Sequence, residues 1–184
     1  GLTCHIGSQL TSLRPYEAAI TKLLELWDSL ASKYPLQKFS VGGGLGIRYH
    51  DETPPSIADY CDCIQRQVGD RQLQLLIEPG RSLIGPAGIL LTRVISIKHH
   101  GSKCFVIVDA AMNDLLRPSL YDAWHDVKAV CHAENLTSAL VDVVGPVCET
   151  GDYLAKARRL AVVAGSLVAV MDAGAYGFSM SSQY

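Results

Sequence analysis

The 184-residue chain has no long apolar run and no excess of charge of either sign. None of its hydrophobic runs reaches the ~18 residues of a membrane-spanning helix, and its first residues lack the pattern of a secretory signal peptide. The formal net charge is -2, which gives no reason to expect a nucleic acid or an anionic membrane as partner. With 48% hydrophobic residues, the composition predicts a soluble globular protein with one sizeable core or two small ones.

The six cysteines lack a regular spacing. Disulfide frameworks are typical of small secreted domains, so the missing secretory signal predicts free thiols, a reducing compartment and a cytoplasmic location. Cys61 and Cys63 could form half of a metal site, but no second pair of cysteines or histidines stands at zinc-like spacing. The His99-His100 pair is an equally isolated feature, and we predict no metal site.

Strand and helix patterns alternate in the first half of the chain. One helix is predicted near Pro15, with apolar residues at helical spacing: Tyr16, Ile20, Leu23, Trp27, Leu30 and Tyr34. A second is predicted after Pro55, with one apolar face: Ile57, Tyr60, Ile64 and Val68. Strand patterns lie at 4–7, 39–41 and 73–77, and end roughly 35 residues apart, about one strand–helix–strand repeat.

This rhythm predicts a parallel sheet or part of a (β/α)8 barrel over residues 1–86. Three units cannot close such a barrel and the chain begins with Gly1, so we expect a piece of a longer protein. After Gly85-Pro86 the pattern changes to β-rich runs at 89–97, 104–108, 139–144 and 167–171. We therefore predict an α/β part followed by a mainly β domain over residues 87–184.

A glycine cluster at 42–46 follows the second predicted strand. Ligands of parallel α/β barrels bind at the carboxyl ends of strands, and glycines let a backbone approach a ligand and present N–H groups to a phosphate. A tight turn is the alternative interpretation. A Walker A loop is excluded because no Gly-Lys-Ser/Thr follows, and the dinucleotide pattern G-x-G-x-x-G does not fit.

Charged and polar residues follow the other two predicted strands. Glu78 comes directly after an apolar strand, where a buried charge needs a partner, and a salt bridge to Arg81 would supply one. Alternatively, Glu78 faces a cationic ring nitrogen while Gly80 and Arg81 face a phosphate. His5 could stack on a ring and Ser8 could reach an anion, although a histidine at a strand end can also be structural.

Three segments of the second half combine reactive side chains with loops. Arg117 suits a carboxylate and stands near the phenol of Tyr121. Cys148 could donate a proton beside Glu149, in a loop where sites tend to lie, although a cysteine without a nearby base is usually inert. Tyr176 stands in a glycine-flanked segment after the last predicted strand. Each segment alone could be an ordinary turn.

Together these segments resemble the diaminopimelate decarboxylases, of the alanine-racemase-like (fold-type III) class of pyridoxal-phosphate enzymes. The resemblance runs through essentially the whole chain in six ordered segments: CHIGSQ at 4–9, GGGLGI at 42–47, EPGRS at 78–82, MNDLLRPSLY at 112–121, DVVGPVCETGD at 142–152 and GAYG at 174–177. It implies the last units of a pyridoxal-phosphate-binding (β/α)8 barrel followed by a Greek-key-like β domain. The implied reaction converts meso-2,6-diaminopimelate to L-lysine and carbon dioxide.

The resemblance also implies a role for each candidate residue. His5 stacks on the cofactor ring and Glu78 pairs with its nitrogen. The remaining cofactor contacts are Ser8, Gly42, Gly43, Gly44, Gly80, Arg81 and Tyr176. The substrate contacts are Arg81, Arg117, Tyr121, Glu149 and Tyr176. Cys148 protonates the carbon that loses its carboxylate, and the loop carrying Cys148 and Glu149 reaches into the partner's site of a homodimer.

The chain departs from the family pattern in some places. The lysine that attaches the cofactor lies upstream of the matched region in this family, so only the longer parent is expected to be catalytic. Ala111 and Gln183 stand where glycine and asparagine are usual.

Two alternative functions remain: a decarboxylase for ornithine, arginine or carboxynorspermidine, and a non-catalytic binding protein of the same fold. The RPSLY and CETGD segments favour diaminopimelate.

Overall fold

The computed structural model describes residues 1–131 and 135–184. The chain divides into two compact units, Gly1–Leu83 and Ile84–Tyr184. Each unit has its own cluster of buried apolar residues. No helix in the described part of the chain is both long and apolar enough to cross a membrane.

The first unit is built on a three-stranded parallel sheet. The strands β1 (Leu2–Thr3), β2 (Lys38–Ser40) and β3 (Gln74–Leu76) are neighbours in that order. The helices α1 (Arg14–Ala31) and α2 (Ile57–Val68) follow β1 and β2, and the short α3 (Gly80–Ile84) follows β3. The predicted parallel arrangement is confirmed, but residues 4–7, predicted as a strand end, form the loop after β1.

Local sequence signals explain where the two long helices begin. Pro15 occupies the first turn of α1, where a missing N–H is not needed. Ser56 caps α2, because its hydroxyl accepts the Asp59 N–H at 3.0 Å. Two residues of the apolar patterns are exposed. Tyr34, which was placed in the first helix pattern, lies beyond the end of α1, and Ile57 is the first residue of α2.

The second unit contains a mixed six-stranded sheet in the order β6-β9-β4-β5-β7-β8. The strands are β4 (Leu90–His100), β5 (Lys103–Val108), β6 (Val127–Ala129), β7 (Ala139–Val144), β8 (Tyr153–Leu160) and β9 (Leu167–Val170). The β5–β7 pair is parallel and the other pairs are antiparallel. The valines Val94, Val106, Val143 and Val168 are buried in its core. A mainly β second half was predicted and is confirmed.

Two strands and one helix of this unit were missed from the sequence. The strand β6 is only three residues long, and β8 carries Lys156, Arg158 and Arg159, which obscure its alternation. Pairing along β8 is also irregular: Ala157 has a φ of 54° and its N–H bonds Asp142 Oδ1 at 2.8 Å. The five-residue helix α4 (Arg117–Tyr121) is followed by its C-cap residue, Asp122.

Two buried tyrosines allow a matched test of packing in the first unit. Tyr16 and Tyr60 are each 1% exposed, with ring centroids 5.0 Å apart. The Tyr16 hydroxyl donates to the Gly43 carbonyl at 3.1 Å. The Tyr60 hydroxyl has no hydrogen-bond partner within residues 1–131 and 135–184, and burial raises its pKa to about 12.

We expect Tyr16→Phe to lower the free energy of unfolding of the full-length parent protein by about 1–2 kcal/mol, because the buried Gly43 carbonyl loses a partner. Tyr60→Phe should leave that free energy unchanged or raise it, since only an unsatisfied hydroxyl is removed. Urea unfolding of both variants measures the difference. Equal losses in the two variants would contradict this account.

Candidate functional site

The candidate residues of the first unit gather at one edge of the parallel sheet. Because β1, β2 and β3 run in the same direction, their carboxyl ends meet at this edge. All the candidates follow one of these ends: His5 and Ser8 after β1, Gly42, Gly43 and Gly44 after β2, and Glu78, Gly80 and Arg81 after β3. The three strand ends that the sequence singled out therefore belong to one place in the fold.

The three glycines after β2 let neighbouring loops approach each other closely. An added Cβ would meet a backbone carbonyl oxygen at each position: 2.1 Å from Cys4 at Gly42, 2.2 Å from Glu78 at Gly43 and 2.2 Å from Gly7 at Gly44. Gly42 and Gly44 also have φ angles of 72° and 100°, which side chains disfavour. The cluster is therefore needed for loop packing, whether or not it also approaches a ligand.

His5 and Glu78 are both held by the β2 loop. His5 Nδ1 accepts the Gly43 N–H at 3.3 Å, so the neutral ring carries its proton on Nε2. The Glu78 carboxylate accepts the Ser40 hydroxyl at 2.7 Å, and the Glu78 N–H donates to the Gly42 carbonyl at 2.8 Å. These bonds fix an imidazole and a carboxylate on opposite sides of the central strand end.

The Arg81 guanidinium lies among hydroxyl groups. It donates to Ser8 Oγ at 3.0 Å and to the Tyr49 hydroxyl, and it stands 5.7 Å from the centroid of the Tyr49 ring. A cation beside a hydroxyl suits an anion such as phosphate. Tyr49 was missed from the sequence, because nothing in the segment after the glycine cluster marks it as a partner of Arg81.

In the second unit, α4 and the loop at 145–152, called here the Cys148 loop, lie together. Ser119 Oγ donates to the Gly151 carbonyl at 2.6 Å. A depression of about 500 Å³ is lined by Tyr121 on α4 and by Gly151, among other residues. Cys148 and Glu149 are exposed in the loop. A thiol, a carboxylate and a phenol predicted as site residues are thus on adjoining segments.

The Cys148 loop is organised by a buried carboxylate. Asp152 is 4% exposed, and its two oxygens accept the Met112 N–H at 2.7 Å and the Val147 N–H at 2.8 Å. An added Cβ at Gly145 would stand 2.5 Å from Asp152 Oδ2, so this position also requires glycine. Asp152 thereby ties the segment before α4 to the loop. The sequence interpretation gave it no role, since an aspartate after glycine also fits an exposed turn.

Arg117, the first residue of α4, is 7% exposed. Its Nη1–H donates to His125 Nε2 at 2.7 Å, and His125 Nδ1 lies 2.8 Å from the Met171 carbonyl oxygen. His125 was also missed from the sequence. Tyr176 lies on a different loop, after β9, with a φ of 58° that is uncommon for a bulky residue.

The described residues contain no group of three histidine, cysteine, aspartate or glutamate side chains arranged for a metal ion. Cys63 is buried in α2 near Glu17, with the thiol 3.8 Å from the carboxylate. Burial, and to a lesser degree the charge of Glu17, raises the pKa of this thiol. Cys63 is therefore kept protonated, which does not favour metal binding.

Replacing Asp152 tests the organisation of the Cys148 loop. In Asp152→Asn an amide NH2 must face one of two backbone N–H groups, so we expect a loss of about 2–3 kcal/mol in the unfolding free energy of the full-length parent. Asp122→Asn is the matched control, because Asp122 is exposed, its carboxylate makes a surface ion pair with Lys156, and asparagine tolerates its φ of 50°. Similar melting temperatures for the two variants would contradict the role of Asp152.

Two family profiles match overlapping parts of the chain. Residues 1–85 match the profile of the pyridoxal binding domain of pyridoxal-dependent decarboxylases. Residues 49–174 match the profile of their C-terminal sheet domain. The profiles thus assign a family to the part of the chain that holds nearly all the candidate residues.

Individual relatives match along the whole chain. It is 54% identical to the diaminopimelate decarboxylase of Pseudomonas aeruginosa, over 100% of this chain and 44% of that protein. A protein of known structure from Aquifex aeolicus superimposes with a TM-score of 0.95 at 44% identity, over 100% of this chain and 46% of that one.

The diaminopimelate decarboxylase of Helicobacter pylori, solved in complex with L-lysine, superimposes with a TM-score of 0.92 at 42% identity, over 99% of this chain and 45% of that one. The chain therefore spans less than half the length of these relatives. Since the two family profiles together extend from residue 1 to residue 174, the chain belongs to the pyridoxal-dependent decarboxylase family.

Proposed function

We propose that the full-length parent of this chain decarboxylates meso-2,6-diaminopimelate to L-lysine and carbon dioxide, with pyridoxal phosphate as its cofactor. The observation that carries the proposal is 54% identity, over the whole chain, to a diaminopimelate decarboxylase. The activity is that of the longer protein, because the chain corresponds to 44% of that relative. The proposed reaction is the last step of lysine biosynthesis.

In this proposal residues 1–86 are the last βα units of a (β/α)8 barrel that binds the cofactor. Residues 87–184 are part of a Greek-key-like β domain that carries the substrate and proton-donor residues. The parallel order of β1, β2 and β3 and the mixed sheet of the second unit support this assignment.

The groups at the edge of the parallel sheet suit pyridoxal phosphate. The Glu78 carboxylate can face a protonated ring nitrogen, and the imidazole of His5 can offer its face to the ring. Arg81 and Ser8 pair a cation with a hydroxyl, as a phosphate requires. Beside them, an added Cβ at Gly80 would meet no atom within 4 Å, so there is open space for a ligand.

Substrate recognition is assigned to side chains of the second unit. The distal end of diaminopimelate carries a carboxylate and an ammonium group, and Arg117 with Glu149 supplies the two complementary charges. Tyr121 is 63% exposed at the end of α4, where it can contact the same substrate end. The predicted substrate contacts of Arg81 and Tyr176 complete this set, whereas Gly44 is predicted to contact the cofactor.

When bound, pyridoxal phosphate would supply an electron-withdrawing ring that takes up the electron pair left on the α-carbon as carbon dioxide departs. Glu78 favours this by stabilising a positive ring nitrogen. Cys148 Sγ–H is the proposed donor of the proton that replaces the carboxylate on the α-carbon. Because Cys148 and Glu149 are both exposed in this chain, they suit a loop that acts in the partner's site of a homodimer.

The full-length parent, loaded with pyridoxal phosphate, is expected to release lysine and carbon dioxide from meso-diaminopimelate and not to decarboxylate ornithine or arginine. We expect Cys148→Ala to lower kcat by about 100-fold or more, the usual contribution of a proton donor. Cys131→Ala removes another exposed thiol and should leave kcat unchanged. Turnover of ornithine or arginine instead would exclude the substrate, and equal kcat values for the two variants would exclude the proton donor.

The role of Glu78 can be tested separately from substrate recognition. Glu78→Gln keeps the size of the side chain but removes its charge, so we expect kcat to fall by about 100-fold or more while the cofactor stays bound. Glu25→Gln on the exposed side of α1 is the control. Cofactor absorbance and lysine release measure the two effects. A fully loaded Glu78→Gln variant with unchanged kcat would show that Glu78 does not act on the ring nitrogen.

A further inference from the structure

His125 connects the guanidinium of Arg117 to the sheet of the second unit. The imidazole is 0% exposed. Its Nε2 lies 2.7 Å from Arg117 Nη1 and its Nδ1 lies 2.8 Å from the carbonyl oxygen of Met171, the residue after β9. The ring therefore bridges the first residue of α4 and the end of a core strand.

These two partners define the protonation of His125. A guanidinium only donates hydrogen bonds, so Nε2 facing Arg117 must carry a lone pair. A carbonyl oxygen only accepts, so Nδ1 facing Met171 must carry the proton. His125 is accordingly a neutral imidazole in the Nδ1–H form. A doubly protonated ring would place a second cation against the buried guanidinium and leave one N–H aimed at a donor.

The position of the ring is fixed by backbone contacts on both sides. The Met171 N–H donates to the Asp126 carbonyl at 2.8 Å, and Val127 of β6 pairs with Val170 of β9. The carbonyl of His125 itself accepts a bond from Arg158 Nη2 at 3.3 Å. The imidazole thus stands in the loop just before β6, and hydrogen bonds to residues beside paired strands hold that loop.

We propose that His125 is a positioning residue for substrate specificity: it orients Arg117 so that the guanidinium meets the distal carboxylate of the substrate. The role of Arg117 in this inference rests on the proposed function. A guanidinium is rigid and planar, so a bond that fixes one of its N–H groups also sets the direction of the others. Loss of the acceptor at Nε2 removes a bond that orients the long arginine side chain before the substrate binds.

Two substitutions in the full-length parent separate the two bonds of the imidazole. In His125→Asn, the amide nitrogen can replace Nδ1 and keep the bond to Met171, while the acceptor for Arg117 is lost. In His125→Gln, the longer side chain can place its oxygen near the position of Nε2 and keep that acceptor. We expect His125→Asn to raise KM for diaminopimelate about tenfold with kcat changed less than about threefold, and His125→Gln to change KM less than about threefold.

Two inhibitors test whether the effect concerns the distal carboxylate. Lysine keeps the carboxylate that is distal to the reacting carbon, whereas cadaverine has none. His125→Asn should raise the inhibition constant of lysine about tenfold and leave that of cadaverine unchanged. Equal changes for both amines, or equal losses in both variants, would show that His125 only supports the core and would overturn the inference.

A measurement without turnover separates this inference from the proposed function. In the wild-type parent labelled with 15N-histidine, the His125 signal, assigned by its loss in His125→Gln, should show a protonated Nδ1 and an unprotonated Nε2 at neutral pH. A protonated Nε2 would overturn the link to Arg117. If the wild type showed the expected form but did not decarboxylate diaminopimelate, the proposed function would fail while the Arg117–His125 bond would stand.

Discussion

Backbone N–H and carbonyl groups in the loops that carry the candidate residues need partners, and the arrangement of both units depends on how those partners are supplied. In the first unit the neighbouring loops bond one another, as when Glu78 donates to the carbonyl of Gly42. This requires an approach so close that a side chain at Gly42 or Gly43 would collide with a carbonyl oxygen. In the second unit the buried carboxylate of Asp152 accepts two backbone N–H groups from separate segments. Glycines thus let the loops of the first unit bond one another directly, whereas an aspartate side chain supplies the acceptors in the second unit.

The charged groups assigned to chemistry differ in how they are held. Arg117 is buried, and its Nη1–H donates to the imidazole of His125. Glu78 is held by the Ser40 hydroxyl, which orients the carboxylate without neutralising it. In each of these two bonds the partner is an uncharged group, which orients the charged side chain without forming an ion pair with it.

The candidate residues of the second unit differ in exposure. Cys148 and Glu149 face the surface on the loop that the buried Asp152 organises, whereas Arg117 is itself buried beside His125. A surface ion pair such as Asp28–Arg71, with an N–O distance of 2.7 Å, adds little to stability because water screens it. The buried hydrogen bonds of Asp152 and His125 contribute more to stability, since breaking one leaves a buried polar group that has lost its protein partner and cannot bond to water instead.

The sequence by itself determined the parallel α/β first half, the mainly β second half, the two long helices and the ordered motifs on which the resemblance rests. These signals are local: a proline in a first turn, apolar residues at helical spacing, and glycines after a strand. Only the tertiary structure decided that Tyr34 and Ile57 are exposed, that β8 is a strand and that Tyr49 meets Arg81. The roles of Asp152 and His125 also became visible only there. Asp152 reaches Met112 across 40 positions and His125 reaches Met171 across 46, and no local pattern records which distant backbone group a side chain will contact.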